Sequence, residues 1–198
     1  MSGAQKVDAV IIGAGISGMY QLHKLRKIGL TVKVYEGGTG VGGTWYWNRY
    51  PGARFDSESV SYGYSFSEEL LQEWNWKERF SPQPDNLEYL EYVADKFDLR
   101  KDIQFSTRVT SSHYGEEGNE WTVTTDDGKS IKCQFLITAV GVLSTPFVPE
   151  IKSLSSFQGA SWHTANWPKE HVGFEGKKVG VIGTGATAVQ LIQEVAKT

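Results

Sequence analysis

The run Gly13-Ala14-Gly15-Ile16-Ser17-Gly18 leaves few folds open to this chain, because of what stands on either side of it. Residues 6–12 end in Ala9-Val10-Ile11-Ile12, an apolar run that reads as a buried parallel strand. Over residues 16–28 the apolar positions Met19, Leu22, Leu25 and Ile28 recur at helical spacing. His23, Lys24, Arg26 and Lys27 gather toward the end of that stretch, where cations suit the helix dipole, and Gly29 is placed to stop it. Residues 30–35 alternate toward a second strand that closes at Glu36, completing a βαβ unit. Within the turn, Gly13 makes the tight bend, Gly15 lets backbone approach a pyrophosphate, and Gly18 lets helix pack on strand. Glu36 falls at about the 20-residue spacing at which a carboxylate meets a ribose 2′-hydroxyl, with the diphosphate at the positive end of the helix. This half is expected to bind a dinucleotide.

A second turn, Gly183-Thr184-Gly185-Ala186-Thr187-Ala188, repeats the arrangement near the end. Residues 178–182 read as its strand and residues 186–196 as its helix, with Ala188, Leu191, Ile192 and Val195 on one face. Two such turns describe a protein that handles two dinucleotides. Only about 20 residues follow Lys178, where a βαβ unit needs about 30. The chain therefore reads as an N-terminal portion of a longer protein. The apolar face of the last helix is expected to lie uncovered, so that the isolated chain is marginally stable and self-associates.

Between the turns, residues 37–63 are long, irregular and rich in glycine and aromatics, which marks a functional loop rather than a connector. Gly42 and Gly43 allow close backbone approach. Trp45, Tyr46, Trp47 and Tyr50 offer flat surfaces to a ring system, with a lining for the domain core as the alternative. Asp56 is the carboxylate deep in this run. Residues 67–76 and 85–98 read as helices, the second opening on the capping spacing Asp85-Asn86-Leu87-Glu88 with Leu87, Leu90, Val93, Ala94 and Phe97 as its apolar stripe. Residues 103–105 form a short strand. Residues 109–114 and 121–125 form a β-meander, with turns at Glu117-Gly118-Asn119 and Asp126-Asp127-Gly128. Residues 131–140 form a buried strand. Pro146, Pro149 and the serines 153, 155 and 156 then mark a connector.

Composition excludes several classes. A net charge of -3 gives no electrostatic footprint for nucleic acid. The longest apolar run is far short of the roughly 20 residues of a membrane span, and no leader pattern precedes it. Cys133 is the one cysteine, which rules out a disulfide frame, a paired-cysteine redox centre and a cysteine-based metal site. It is expected in a strand as a small hydrophobe. A cytoplasmic protein without metal is expected.

Just before the second turn lies Phe157-Gln158-Gly159-Ala160-Ser161-Trp162-His163-Thr164-Ala165-Asn166-Trp167-Pro168. With Phe157, Gly159, His163, Trp167 and Pro168 it fits F-x-G-x-x-x-H-x-x-x-W-P, the fingerprint of the Baeyer–Villiger monooxygenases, flavoproteins of the cyclohexanone monooxygenase type. The chain resembles that family over nearly its whole length, including the loop from Gly42 to Ala53. N-oxygenating flavin monooxygenases carry a similar motif without the tryptophan, so Trp167 favours the Baeyer–Villiger branch.

The resemblance implies an α/β, two-dinucleotide-binding flavoprotein. Residues 1–145 would be the N-terminal part of a Rossmann-like FAD domain with a β-meander. Residues 146–176 would be the linker carrying the fingerprint, and residues 177–198 the start of a Rossmann-like NADP domain. It implies that NADPH reduces the flavin, that oxygen adds to form a C4a-peroxyflavin, and that this attacks a ketone to give an ester or lactone. Cofactor positions would be Gly13, Gly15, Gly18, Glu36, Gly43, Thr44, Trp45, Asp56, Tyr62 and Val109 for FAD, with Gly183, Gly185 and Ala188 for NADPH. Asp56 matches the carboxylate that pairs with the family's catalytic arginine, whose position lies beyond residue 198. Asp56 and His163 are the catalytic candidates, and His163 is expected to do structural or conformational work first, cofactor contact second and acid–base chemistry last. Partners would be a small ketone and O2, with neither nucleic acid nor membrane, and the oligomeric state is left open. The rival readings are an N- or S-oxygenating flavin monooxygenase and a FAD-binding module without activity of its own.

Overall fold

A computed structural model describes residues 5–198. The chain divides into two compact units. The first runs to Tyr46 and resumes over Leu90–Val142, and the second takes Trp47–Tyr89 and Leu143–Thr198. The long helix α4 (Gln83–Lys96) has residues in both.

Among the described residues the first unit holds every strand: β1 (Gln5–Ile12), β2 (Val32–Tyr35), β3 (Ile103–Gln104), β4 (Val109–Gly115), β5 (Glu120–Thr125) and β6 (Ser130–Thr138). They form one sheet in the order β3-β2-β1-β6-β5-β4. β1 lies between β2 and β6 and is parallel to both, with Ile12 opposite Tyr35 on one side and Thr138 on the other. The meander β4-β5-β6 is antiparallel. Where β1 is flanked on both edges and closed over it is apolar: Ala9, Val10 and Ile11 are fully buried, while the polar Gln5, Lys6 and Asp8 lie in its less buried first half. Val10, Tyr35, Val123, Ile131 and Cys133 form one core cluster, with Val109 packed against it. Cys133 sits there as the small hydrophobe expected, and burial pushes its thiol above the usual range.

Helix α1 (Ile16–Lys27) joins β1 to β2 and buries Gly18, Met19 and Leu22. Its stripe ends earlier than the sequence pattern implied. Ile28 is the C-cap and is 71% exposed, because the chain turns away at Gly29, whose φ is +88°. Arg26 ties the end of α1 to the Asp98 carbonyl at 2.7 Å and to the Asp102 carboxylate at 3.3 Å.

In the second unit, helix α3 (Glu68–Glu73) is shorter than the expected residues 67–76. Ser67 caps it, accepting from the Leu70 N–H. It stops at Trp74, which is extended, and the rings of Trp74 and Trp76 pack on Tyr89 with centroids 5.1 and 4.9 Å away. Side-chain packing outweighs helix propensity there. Burial pushes the Tyr89 phenol up to about 12, and its oxygen accepts the Tyr64 N–H at 2.7 Å. Helix α4 begins at Gln83, ahead of Asp85, with Pro84 in the first turn where a missing N–H costs nothing. Asp85 is therefore a first-turn carboxylate and not the cap.

Residues 178–182, expected as a strand, carry no ladder among the described residues, and Ile182 is 78% exposed. A strand exists only with a partner to take its N–H and C=O groups, so the local β preference is not enough. The helix that follows, α5 (Ala186–Val195), is better covered than the sequence reading expected, since Ala188 and Leu191 are buried while Ile192 is half-exposed. Among the described residues no helix is long and apolar enough to cross a membrane.

Candidate functional site

The first glycine turn is packed so closely that each of its glycines is needed. Gly13 has a φ of +104°, and a Cβ there would stand 2.5 Å from the Ala139 carbonyl oxygen at the end of β6. A Cβ at Gly18 would stand 1.9 Å from the Gly13 carbonyl oxygen. At Gly15 the neighbour is Gly43, whose Cα would lie 3.3 Å from the added carbon. Gly43 itself has a φ of +54°, and a Cβ on it would lie 2.8 Å from the Gly15 Cα. Two backbones thus meet through paired glycines, and the Gly42 N–H donates to the Ala14 carbonyl at 3.1 Å. The short helix α2 (Thr44–Trp47) follows, hung on Gly42 through the Trp45 N–H, with Trp45 buried and Thr44 exposed.

Glu36 closes this cradle. Its side chain is buried, one carboxylate oxygen accepting the Ala14 N–H at 2.8 Å and the other the Gly38 N–H at 2.7 Å. Each oxygen keeps a lone pair in hand, so a ribose hydroxyl can still be accepted there. Behind it, the Thr107 N–H donates to the Glu36 carbonyl, and Val109 follows at the start of β4. We predict that Glu36→Gln leaves one of the two N–H groups facing an amide N–H. The lost charge-assisted bond is worth about 1.5–3 kcal/mol. Flavin titration should show at least about tenfold weaker binding, and unchanged affinity would count against the carboxylate's role.

Helix α1 starts on Gly15 with no side-chain cap and no acidic residue in its first turn. Helix α5 starts the same way on Gly185, which is extended, after Gly183 with a φ of +121°. By contrast α3 begins with Ser67, Glu68 and Glu69, and α4 has Asp85 in its first turn. The chain places negative side chains at the starts of α3 and α4 and none at the two glycine turns, where a diphosphate would supply the charge. At the second turn a Cβ on Gly183 or Gly185 would meet nothing within 4 Å, whereas Ala188 is buried beneath it.

Asp56 departs from expectation: its side chain lies at the surface and not deep in the loop. Tyr62 is half-buried in a 3-10 turn (Ser59–Tyr62), its ring edge-on to Phe55 with centroids 3.9 Å apart. His163 is pinned at both ring nitrogens. Nδ1 accepts the Ala165 N–H at 3.2 Å, capping the 3-10 turn Thr164–Asn166, and Nε2 donates to the Phe147 carbonyl at 3.2 Å. A ring so engaged holds two stretches of the linker together. A Cβ on Gly159 would lie 2.6 Å from the Phe157 ring, which is exposed and free to turn aside, so that contact does not require the glycine. Trp167 stacks obliquely between Trp162 and Phe174.

The structure thus brings Gly13, Gly15, Gly18, Glu36, Gly43, Thr44 and Trp45 together in the first unit. Asp56, Tyr62, His163, Gly183, Gly185 and Ala188 all belong to the second. The sequence reading missed Ala14, which offers its N–H to Glu36, and Arg108, whose Nη2 would lie 3.4 Å from a Cβ on Gly37. Nothing in the spacing of residues 105–110 points to that arginine. It meets Gly37 through the neighbouring hydrogen bond between Thr107 and Glu36.

The sequence pattern of the family described as flavin-binding monooxygenase-like matches residues 4–198. Acetone monooxygenase (methyl acetate-forming) of Gordonia sp. (strain TY-5) is 53% identical over 190 residues, which is 96% of this chain and 36% of that protein. Phenazine N-monooxygenase PhzNO1 of Lysobacter antibioticus is 48% identical over 191 residues, 96% of this chain and 35% of that protein. Among solved structures, an oxidised steroid monooxygenase bound to NADP superposes with a TM-score of 0.92 at 54% identity. That match covers 98% of this chain and 37% of that one. The chain spans little more than a third of the length of the relatives it matches.

Proposed function

We propose, from the premise that this chain belongs to the flavin-binding monooxygenase-like family, that the protein it is part of is a Baeyer–Villiger monooxygenase. It would insert one oxygen atom of O2 beside a ketone carbonyl to give an ester or lactone, at the expense of NADPH. The observation that carries the reading is the pair of bare, glycine-capped helix starts, one of them closed by Glu36. They suit two dinucleotides whose diphosphates replace the missing acidic caps. The name of the Gordonia relative, which forms methyl acetate, supports the ketone-to-ester assignment.

In this reading Gly13, Gly15 and Gly18 hold the FAD diphosphate and Glu36 takes a ribose hydroxyl. Gly43, Thr44, Trp45, Asp56, Tyr62 and Val109 shape the remainder of the flavin site. Gly183, Gly185 and Ala188 hold NADPH. When bound, the flavin accepts hydride from NADPH and provides the centre at which oxygen is activated. Asp56 offers a carboxylate to a cation from the part of the protein after residue 198. His163 keeps the linker folded and carries no proton in the chemistry. Residues 1–145 are proposed as the FAD domain, 146–176 as the linker and 177–198 as the start of the NADP domain, in a cytoplasmic enzyme.

A second reading, N-oxygenation, draws support from the phenazine N-monooxygenase relative. Product analysis separates the two. The full-length protein supplied with FAD, NADPH, ¹⁸O2 and a cyclic ketone is expected to give a lactone carrying one ¹⁸O atom. Heteroatom oxide from an amine, with no lactone from any ketone offered, would replace the first reading by the second.

A further inference from the structure

Residues 50–54, just ahead of Asp56, are held from two sides within the second unit. On one side they pair with residues 81–83. The Phe55 N–H donates to the Ser81 carbonyl at 2.9 Å, the Gln83 N–H donates to the Ala53 carbonyl at 2.7 Å, and Arg54 forms an antiparallel bridge with Pro82. Extended backbone alternates its polar groups, so the N–H and C=O of Arg54 point the other way. Among the described residues no strand receives them. The Gln190 side chain of α5 does: Oε1 accepts the Arg54 N–H at 3.3 Å, and Nε2 donates to the Arg54 carbonyl at 3.1 Å. The Tyr50 hydroxyl donates to the same Oε1 at 2.8 Å. A primary amide is the one side-chain group that copies a peptide's donor and acceptor, so Gln190 completes the ladder as a strand would. Gly52 makes room for it. Its φ is +79°, and a Cβ there would stand 2.6 Å from the Gln190 carbonyl oxygen and 2.9 Å from the Glu194 Cγ.

We infer that Gln190 is a positioning residue, which latches the helix behind the second glycine turn onto the backbone that leads to Asp56. It touches neither substrate nor flavin. Its work is to fix residues 50–56 relative to α5, so that the carboxylate of Asp56 and the nucleotide end of α5 keep one geometry during turnover. The second glycine turn and the segment ahead of Asp56 are then parts of one device. The turnover half of this inference rests on the function proposed above, whereas the latch itself does not.

The test compares full-length parent protein with Gln190→Ala, Gln190→Glu and Tyr50→Phe. Hydrogen exchange of the peptide covering residues 50–56 reads the latch directly. About tenfold faster exchange is expected in Gln190→Ala, given the two backbone bonds removed. Gln190→Glu keeps the size and both acceptances, the Arg54 N–H included, but sets a carboxylate oxygen against the Arg54 carbonyl, so its exchange should lie between parent and the alanine variant. Tyr50→Phe, which loses one bond, should fall between. During turnover the share of NADPH recovered as ester is expected to drop roughly threefold in both Gln190 variants, the balance appearing as H2O2, while the NADPH KM stays within about twofold. A role confined to stability would lower the melting temperature and leave that share unchanged. Parent-like exchange in Gln190→Ala would overturn the latch. Faster exchange with an unchanged ester share would overturn the positioning role. Should Gln190→Ala not fold, Tyr50→Phe gives the same readings, and parent-like values there overturn the proposal. A parent protein that makes no ester from any ketone refutes the proposed reaction, while the exchange data still decide on Gln190.

Discussion

Gly18→Ala is expected to destabilise the protein by about 3 kcal/mol or more, the upper end of what overpacking a filled site costs. Helix propensity alone argues the reverse. Gly18 lies inside α1 with no positive φ, and alanine is the better helix former there by about 1 kcal/mol. The contact decides the sign, because the new Cβ would stand 1.9 Å from the Gly13 carbonyl oxygen, which is backbone and cannot swing aside. Helix α1 would have to lift from β1, taking the buried Met19 and Leu22 with it. Against a net stability of about 5–15 kcal/mol such a loss is large. Thermal melts should show a drop of roughly 6–12 °C. Gly29→Ala is the control for strain without collision. That residue has a φ of +88° but nothing within 4 Å of a Cβ, so its cost should stay near 1–2 kcal/mol. Equal melting of Gly18→Ala and parent would mean that the helix start is looser than its geometry.

Gly15→Val is expected to yield protein purified without flavin colour. The added Cβ would already press on the Gly43 Cα at 3.3 Å, and two further methyl groups would stand at the N-cap of α1, where the diphosphate is proposed to lie. We expect at least about 100-fold weaker flavin binding, or about 2.8 kcal/mol, measured by titrating FAD into apoprotein. Gly185→Val supplies the contrast. A Cβ there meets nothing within 4 Å, so the fold should tolerate it and flavin should be retained. NADPH binding should fail in that variant alone. A yellow Gly15→Val protein, or a colourless Gly185→Val protein, would reverse the assignment of the two turns.

Some of this protein was legible because it is written in short stretches. The unit from β1 through α1 to β2 spans residues 5–35. Its apolar period, its glycines and its stop at Gly29 act on neighbours in sequence, and Glu36 follows by simple spacing. The meander was readable for the same reason, since each turn joins strands that pair directly. What failed depended on partners far away. Residues 178–182 have the composition of a strand, yet no ladder forms among the described residues, because hydrogen-bond partners must come from another segment. Asp56 stands deep in an aromatic-rich run, but side-chain exposure follows from which segments close over a loop, and its side chain lies at the surface.

By itself, then, the sequence determined the glycine turns, the helix periods, the aromatic fingerprint and the family they belong to, all of them local patterns under local steric rules. Tertiary structure alone decided that β6 lies beside β1 and that the Gly13 carbonyl oxygen leaves no room for a side chain at Gly18. It also decided that Gly43 meets Gly15, and that Gln190 serves Arg54 as a strand. Those outcomes join residues far apart in the chain. They are set by which backbone groups remain to be satisfied once the local elements have formed, and no window of sequence contains that information.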